Sequence, residues 1–178
     1  MILSEIFAEC QNKWMNAISE KNHCFRSFVL STVDKHNKPN SRTVILRSFN
    51  PELLEFNIYS DLRSKKIIDL KNSPYAQLLF YDNISLFQII VKAELTNKNT
   101  DTNIFNNQPD HSKKNYTTLK PPGELVNDPY EISIGNDINF CELTFKANSF
   151  EVLDLSNDVN IRSRFKINNH WKGDFIVP

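Results

Sequence analysis

Four short segments hold the residues whose types and spacing can do chemistry. The first is Ser41-Arg42-Thr43-Val44-Ile45-Leu46-Arg47. On a strand, residues two apart share a face, so Arg42 sides with Val44 and Leu46 and is the charged member of an apolar face. A guanidinium there needs an anionic partner, either an Asp or Glu or a ligand phosphate. The second is Tyr59-Ser60-Asp61-Leu62-Arg63-Ser64-Lys65-Lys66, a strand end running into a helix start. Ser60, Arg63, Ser64, Lys65 and Lys66 put hydroxyls and cations where free N–H groups and a positive dipole end favour anions, although a solvated basic helix start looks the same in sequence. The third is Gln88 inside the apolar run Phe87-Gln88-Ile89-Ile90-Val91, whose amide must bond to backbone, to a neighbouring strand or to the edge of a polar heterocycle. The fourth is Arg162-Ser163-Arg164-Phe165-Lys166, three cations on one face of a strand, either solvated or bordering an anionic ligand.

Glycine narrows the choice. The chain has 178 residues and only 3 glycines, Gly123, Gly135 and Gly173. No glycine-rich cradle for a nucleotide can be drawn from them, so any bound phosphate must be held mainly by Arg, Lys, Ser and Thr side chains. Lys plus Arg and Asp plus Glu both total 21, and a net charge of zero argues against a nucleic-acid binder. No apolar run is long enough to span a membrane, and Glu5 and Glu9 interrupt the N-terminal apolar stretch, which is unlike a secretory signal. Cys10, Cys24 and Cys141 are widely spaced, with no CxxC or HExxH, which argues against a metal site or a disulfide framework and fits a reducing cytoplasm.

The elements that must position these segments follow from periodicity. Leu3, Ile6, Phe7, Cys10, Trp14, Ala17 and Ile18 recur at helical steps over about the first twenty residues. Residues 28–33 and 41–47 form a hairpin around Asp34–Pro39, and 54–59 is a third strand. A short helix over 63–71 stops at Asn72-Ser73-Pro74. Strands are expected at 75–81 and 86–96, a short helix at 100–107, and strands at 140–146, 150–155 and 164–168, with 170–177 as one more. The stretch 113–137, with Pro121, Pro122, Gly123 and Pro129, reads as an irregular insertion. One domain spanning 1–178 is expected, mainly β, as a barrel with flanking helices.

Taken in order, "SRTVILRSF", "FNIYSDLRSKKIIDLKNSPYAQLLFYD", "LFQIIVKAEL" and "RSRFKINNHWKGDFIVP" resemble the pyridoxamine 5'-phosphate oxidase-like family of FMN-binding split barrels. The resemblance runs from about Phe25 to the C-terminus and is weak over 113–139. It implies a six-stranded antiparallel split barrel, acting as a homodimer with FMN at the interface. Position by position, it implies that Arg42, Thr43, Val44, Ile45 and Leu46 line the flavin, with Arg42 at its phosphate or ring. It likewise implies that Tyr59 and Ser60 approach the flavin, that Lys65 and Lys66 hold its phosphate, that Gln88 reaches it across the interface, and that Arg164 lies near its ring. Lys65 stands where the family usually has arginine, keeping the charge but not the bidentate fork.

Departures from the vitamin B6 oxidases fall in their substrate pocket. Arg47 stands at the lysine position, Ile104 and Gln108 at the tyrosine and arginine positions, and Ser112 at the serine position. The Arg-x-His pair reads Asn160-x-Arg162, and a tryptophan near the flavin reads Leu155. Arg47, Ser112 and Arg162 are the substrate-binding candidates this leaves, in a chain resembling the shorter, flavin-reductase-like branch. The implied function is hydride transfer between a reduced substrate or NAD(P)H and FMN, with a small molecule as partner. The alternatives are a flavin carrier, a true pyridoxamine or pyridoxine 5'-phosphate oxidase, or a split barrel for another ligand such as haem, with His111 or His170 as ligand. No residue is an evident general base.

Overall fold

Alternating burial builds the sheet. In the computed structural model, which describes residues 2–178, six strands of seven or more residues carry the barrel: β1 (Ser27–Val33), β2 (Pro39–Ile45), β4 (Glu55–Asp61), β5 (Tyr75–Asp82), β6 (Phe87–Asn99) and β7 (Phe140–Asp154). Shorter strands β3 (Ser48–Asn50), β8 (Ile161–Lys166) and β9 (Gly173–Ile176) extend it. All pairings are antiparallel, in the order β2-β1-β5-β6-β7-β4-β3, with β8 on β7 and β9 on β8. The ladder does not close, as in a split barrel. Where β2 ends, the Leu46 N–H donates to the Arg26 carbonyl and the Arg47 N–H to the Asn57 carbonyl, tying this crossover to β4.

Two strand expectations are corrected. Residues 140–146 and 150–155 form one strand, because the polar break at Asn148-Ser149 is absorbed by a register shift against Lys92 and Ala93 instead of ending the ladder. Strand β8 covers Ile161–Lys166 in place of the expected 164–168. Ser48–Asn50 is a short strand that periodicity missed, three residues being too few to show a period.

Helix α1 (Leu3–Ser19) buries Ile6, Cys10, Trp14 and Ala17, four positions at steps of four, four and three. The fully buried Trp14 ring meets Phe49, Phe56, Phe80 and Phe150, with centroids 5.0–6.0 Å apart. Rings from four strands, β3, β4, β5 and β7, thus converge on one helix, which packs against their inner faces. A second apolar cluster of Phe105, Tyr116 and Phe140, with Tyr59 and Ile104, covers the outer face of β4. It is built by α3 (Thr102–Asn106) and the turn after α4 (Asp110–Lys113). Among the described residues, no helix is long and apolar enough to cross a membrane.

Candidate functional site

The inner face of β2 ends in a charged network. Arg42 lies opposite the fully buried Leu30 and donates to the Leu30 carbonyl (3.3 Å) and the Thr32 hydroxyl (2.7 Å). Its Nη2 is 3.6 Å from Oδ2 of Asp69, which also accepts from Thr32 Oγ1 (2.7 Å) and Asn40 Nδ2 (3.2 Å). Asp69 is 1% exposed, on the buried side of α2 (Lys65–Asn72) beside Ile67 and Leu70. Sequence reasoning left the anionic partner of Arg42 open. Asp69 is that partner within the chain, and its place among the apolar residues of α2 was the available clue.

The neighbouring cation has no such partner. Lys66 Nζ donates to the hydroxyls of Ser60 (3.1 Å) and Ser64 (3.2 Å), themselves 3.0 Å apart, and among the described residues forms no ion pair. Both serines are almost fully buried. Burial, and then the charge of Arg42, hold the Lys66 ammonium below the usual lysine pKa. Two cations close enough to repel, over buried hydroxyls, leave unneutralised charge at the start of α2. Lys65 reaches the same rim, donating to Asn40 Oδ1 (3.0 Å).

Arg63, expected in this anion-binding group, is committed elsewhere. It forks onto Asp61, with Nε–Oδ1 at 3.0 Å and Nη2–Oδ2 at 2.7 Å, and donates to the carbonyls of Thr118 (2.9 Å) and Leu119 (3.3 Å). It therefore pins the irregular 113–137 segment to the turn after β4. A cavity of about 530 Å³ lined by Thr118, Leu119, Pro121, Val126 and Ile132 lies within that segment, apart from the Arg42–Lys66 cluster.

The remaining sequence candidates occupy other faces. Val44 and Leu46 are buried inward, whereas Thr43 is exposed and Ile45 half-buried on the outer face of β2. Tyr59 faces outward, with the Arg47 guanidinium carbon 5.0 Å from its ring centroid. Gln108 approaches the Tyr59 hydroxyl, and the charge of Arg47 opposes the rise in pKa that burial gives the Tyr116 hydroxyl. Tyr116 was missed because it lies in the irregular stretch. Ser112 is half-buried in α4. Gln88 pairs with Tyr81 and Leu153 on the outer face, opposite the core face of Phe87, Ile89 and Val91. Arg162 is on the same outer face and pairs with Glu151 at 2.7 Å, while Arg164 has a buried Nε without a partner. One chain therefore brings Arg42, Ser60, Lys65 and Lys66 together and leaves Gln88, Arg162 and Arg164 on the other side of the sheet.

A sequence model of the pyridoxamine 5'-phosphate oxidase FMN-binding domain matches residues 8–97, half of the chain. The chain belongs to this family. Two curated members align with it in part. The pyridoxine/pyridoxamine 5'-phosphate oxidase of Acinetobacter baylyi is 37% identical over 70 residues, covering 39% of this chain and 31% of that protein. The chloroplastic pyridoxine/pyridoxamine 5'-phosphate oxidase 1 of Arabidopsis thaliana is 30% identical over 112 residues, covering 59% and 21%. The matches thus span less than a third of these curated family members. In fold, the chain is similar to a pyridoxamine 5'-phosphate oxidase-related, FMN-binding protein of Nostoc punctiforme, with a TM-score of 0.78, 18% identity and 96% of each chain covered. It is also similar to PhzG of Burkholderia lata, with a TM-score of 0.74, 15% identity and 96% and 92% covered. At these identities the likeness is one of fold alone.

Proposed function

We propose that this chain binds FMN and acts as an oxidoreductase, transferring a hydride between a reduced substrate or NAD(P)H and the flavin. The observation that carries this reading is the Lys66 ammonium, desolvated beside Arg42 and held only by two serine hydroxyls. A phosphate dianion fits that donor set: it supplies the missing negative charge and accepts from both cations and from both hydroxyls once these turn away from each other and from the Asp61 carbonyl. Lys66, Ser60, Ser64 and Arg42 hold the phosphate, and Lys65 adds charge at the rim. Asp69 orients Arg42 while neutralising part of its charge, so the site keeps a net positive balance.

FMN, when bound, supplies the two-electron chemistry that no side chain here provides. The chain binds and orients. The backbone of strand 42–46, with Tyr59 at the end of β4, would orient the flavin. Gln88 and Arg164 lie on the opposite face of the sheet from Lys66, so they join the same flavin only from a second copy. We therefore propose a homodimer, whose contact includes the half-buried outer-face residues Val29, Leu79, Ile90 and Leu153. In it, Gln88 and Arg164 favour negative charge on the ring. Arg47, Ser112 and Arg162 border the substrate.

Purified protein should be yellow and release one FMN per chain on denaturation, and NADH or NADPH should bleach it anaerobically. A colourless protein that takes up no added FMN contradicts the flavin assignment. A yellow protein that no reductant bleaches is a carrier.

A further inference from the structure

The outside of β4, away from the hydroxyl-lined cluster, carries a second group of buried polar atoms without partners. The Arg47 N–H donates to the Asn57 carbonyl at 2.8 Å, which fixes Arg47 against β4. Its guanidinium lies over the Tyr59 ring, and Tyr59 and Asn57, two residues apart on a strand, share that face. Arg47 Nε and Asn57 Oδ1 are both buried and both without a hydrogen-bond partner. One face thus carries an orphan donor, part of an unneutralised cation, and an orphan acceptor. Buried polar atoms in this condition are uncommon in folded proteins and call for a partner. No carboxylate of the chain supplies it among the described residues. Glu142, opposite Tyr59 on β7, forms no ion pair with Arg47. Lys113 of α4 is taken up by Asp110 at 3.2 Å.

The charge available differs from that around Lys66, where Lys65, Lys66 and Arg42 gather and Asp69 pairs with Arg42. Here a single planar guanidinium stands among Tyr59, Tyr116 and Phe140. One fork-shaped cation in apolar surroundings matches a planar monoanion in geometry and charge, and underpays a phosphate dianion on both counts.

Resting on the flavoprotein reading, we infer that Arg47, Asn57 and Tyr59 form the subsite for the carboxylate of an organic monoacid substrate that carries a hydroxyl or N–H beside that carboxylate. The carboxylate accepts from the Arg47 guanidinium, and the neighbouring donor satisfies Asn57 Oδ1. Phosphate esters are the poorer ligands of this face.

Calorimetric titration of the FMN-supplemented protein with salicylate, a planar monoacid with an adjacent hydroxyl, tests this, with phenyl phosphate as the comparator. Salicylate should bind saturably and more tightly than phenyl phosphate. Arg47→Ala should weaken salicylate by about tenfold to a hundredfold, the range for losing a charged hydrogen bond. Arg47→Lys, which keeps charge but not the fork, should fall between and decides the matter if the alanine variant does not fold. Absent saturation, equal affinity in wild type and variants, or tighter binding of phenyl phosphate overturns the inference. Flavin released on denaturation, measured on the same samples, separates the two readings. Arg47-dependent salicylate binding without flavin overturns the flavoprotein reading and upholds the subsite.

Discussion

Arg42 and Arg47 leave the same short segment and meet opposite surroundings. Five residues apart, they fall on opposite faces of the chain. Arg42 turns inward to the Thr32 hydroxyl and the buried Asp69, so its charge is matched within the fold. Arg47 turns outward onto Tyr59 and, among the described residues, pairs with no carboxylate. The contrast repeats between Arg63, forked onto Asp61, and Lys66, held by neutral hydroxyls. Neighbouring cations thus differ in whether the fold neutralises them, and the difference is set by which carboxylates the topology brings to each.

The largest expected effect falls on the paired member. Arg42→Ala strands the buried Asp69 carboxylate and should cost about 3 kcal/mol, lowering the melting temperature by roughly 6–12 °C. Arg47→Ala should cost less than about 1 kcal/mol in the same thermal unfolding. Equal losses would erase the distinction between the two arginines. Next, Lys66→Met should weaken FMN by about 1.5–3 kcal/mol in a fluorescence titration without lowering the stability of the FMN-free chain, since it removes a desolvated charge that Arg42 repels. A destabilised Lys66→Met protein would mean that the ammonium serves the fold.

The pH dependence sharpens the same point. Burial and Arg42 depress the Lys66 pKa in the folded chain, so the folded state gives up this proton before the unfolded state does. The penalty on folding is complete below the depressed value and is relieved as pH rises from there towards 10.5, the ordinary value. The wild-type chain without FMN should therefore gain stability relative to Lys66→Met across that window. A difference that is flat with pH would show that the ammonium is not strained. The smallest effect on FMN affinity is expected from Arg63→Ala, which should leave it within about 0.5 kcal/mol while stranding Asp61 and speeding proteolysis within 119–133. A large loss of FMN affinity would return Arg63 to the anion site.

Much of the scaffold was legible because its signals are local. The alternation in 28–33 and 54–59 and the helical steps of Ile6, Cys10, Trp14 and Ala17 need no distant partner to be read. The continuity of β7 was not legible: Asn148-Ser149 looks like a turn, and only pairing along β6 shows a bulge. At the candidate site, the types and spacing of Ser60, Ser64 and Lys66 singled out a group that the fold does bring together, and the inward direction of Arg42 followed from parity. What escaped was partnership at a distance. Asp69 lies 27 residues beyond Arg42, Thr118 lies 55 beyond Arg63, and Tyr116 reaches Arg47 from an irregular stretch. Charge alone does not say which cation a fold will neutralise.

The most direct measurement is a paired titration of wild type and Lys66→Met with FMN and with riboflavin, which lacks the phosphate. Wild type should prefer FMN by at least about a hundredfold, and the variant should lose most of that preference while riboflavin affinity stays unchanged. Equal affinity of the wild-type chain for the two flavins, or a preference that survives the loss of the Lys66 ammonium, would contradict a phosphate site at the start of α2.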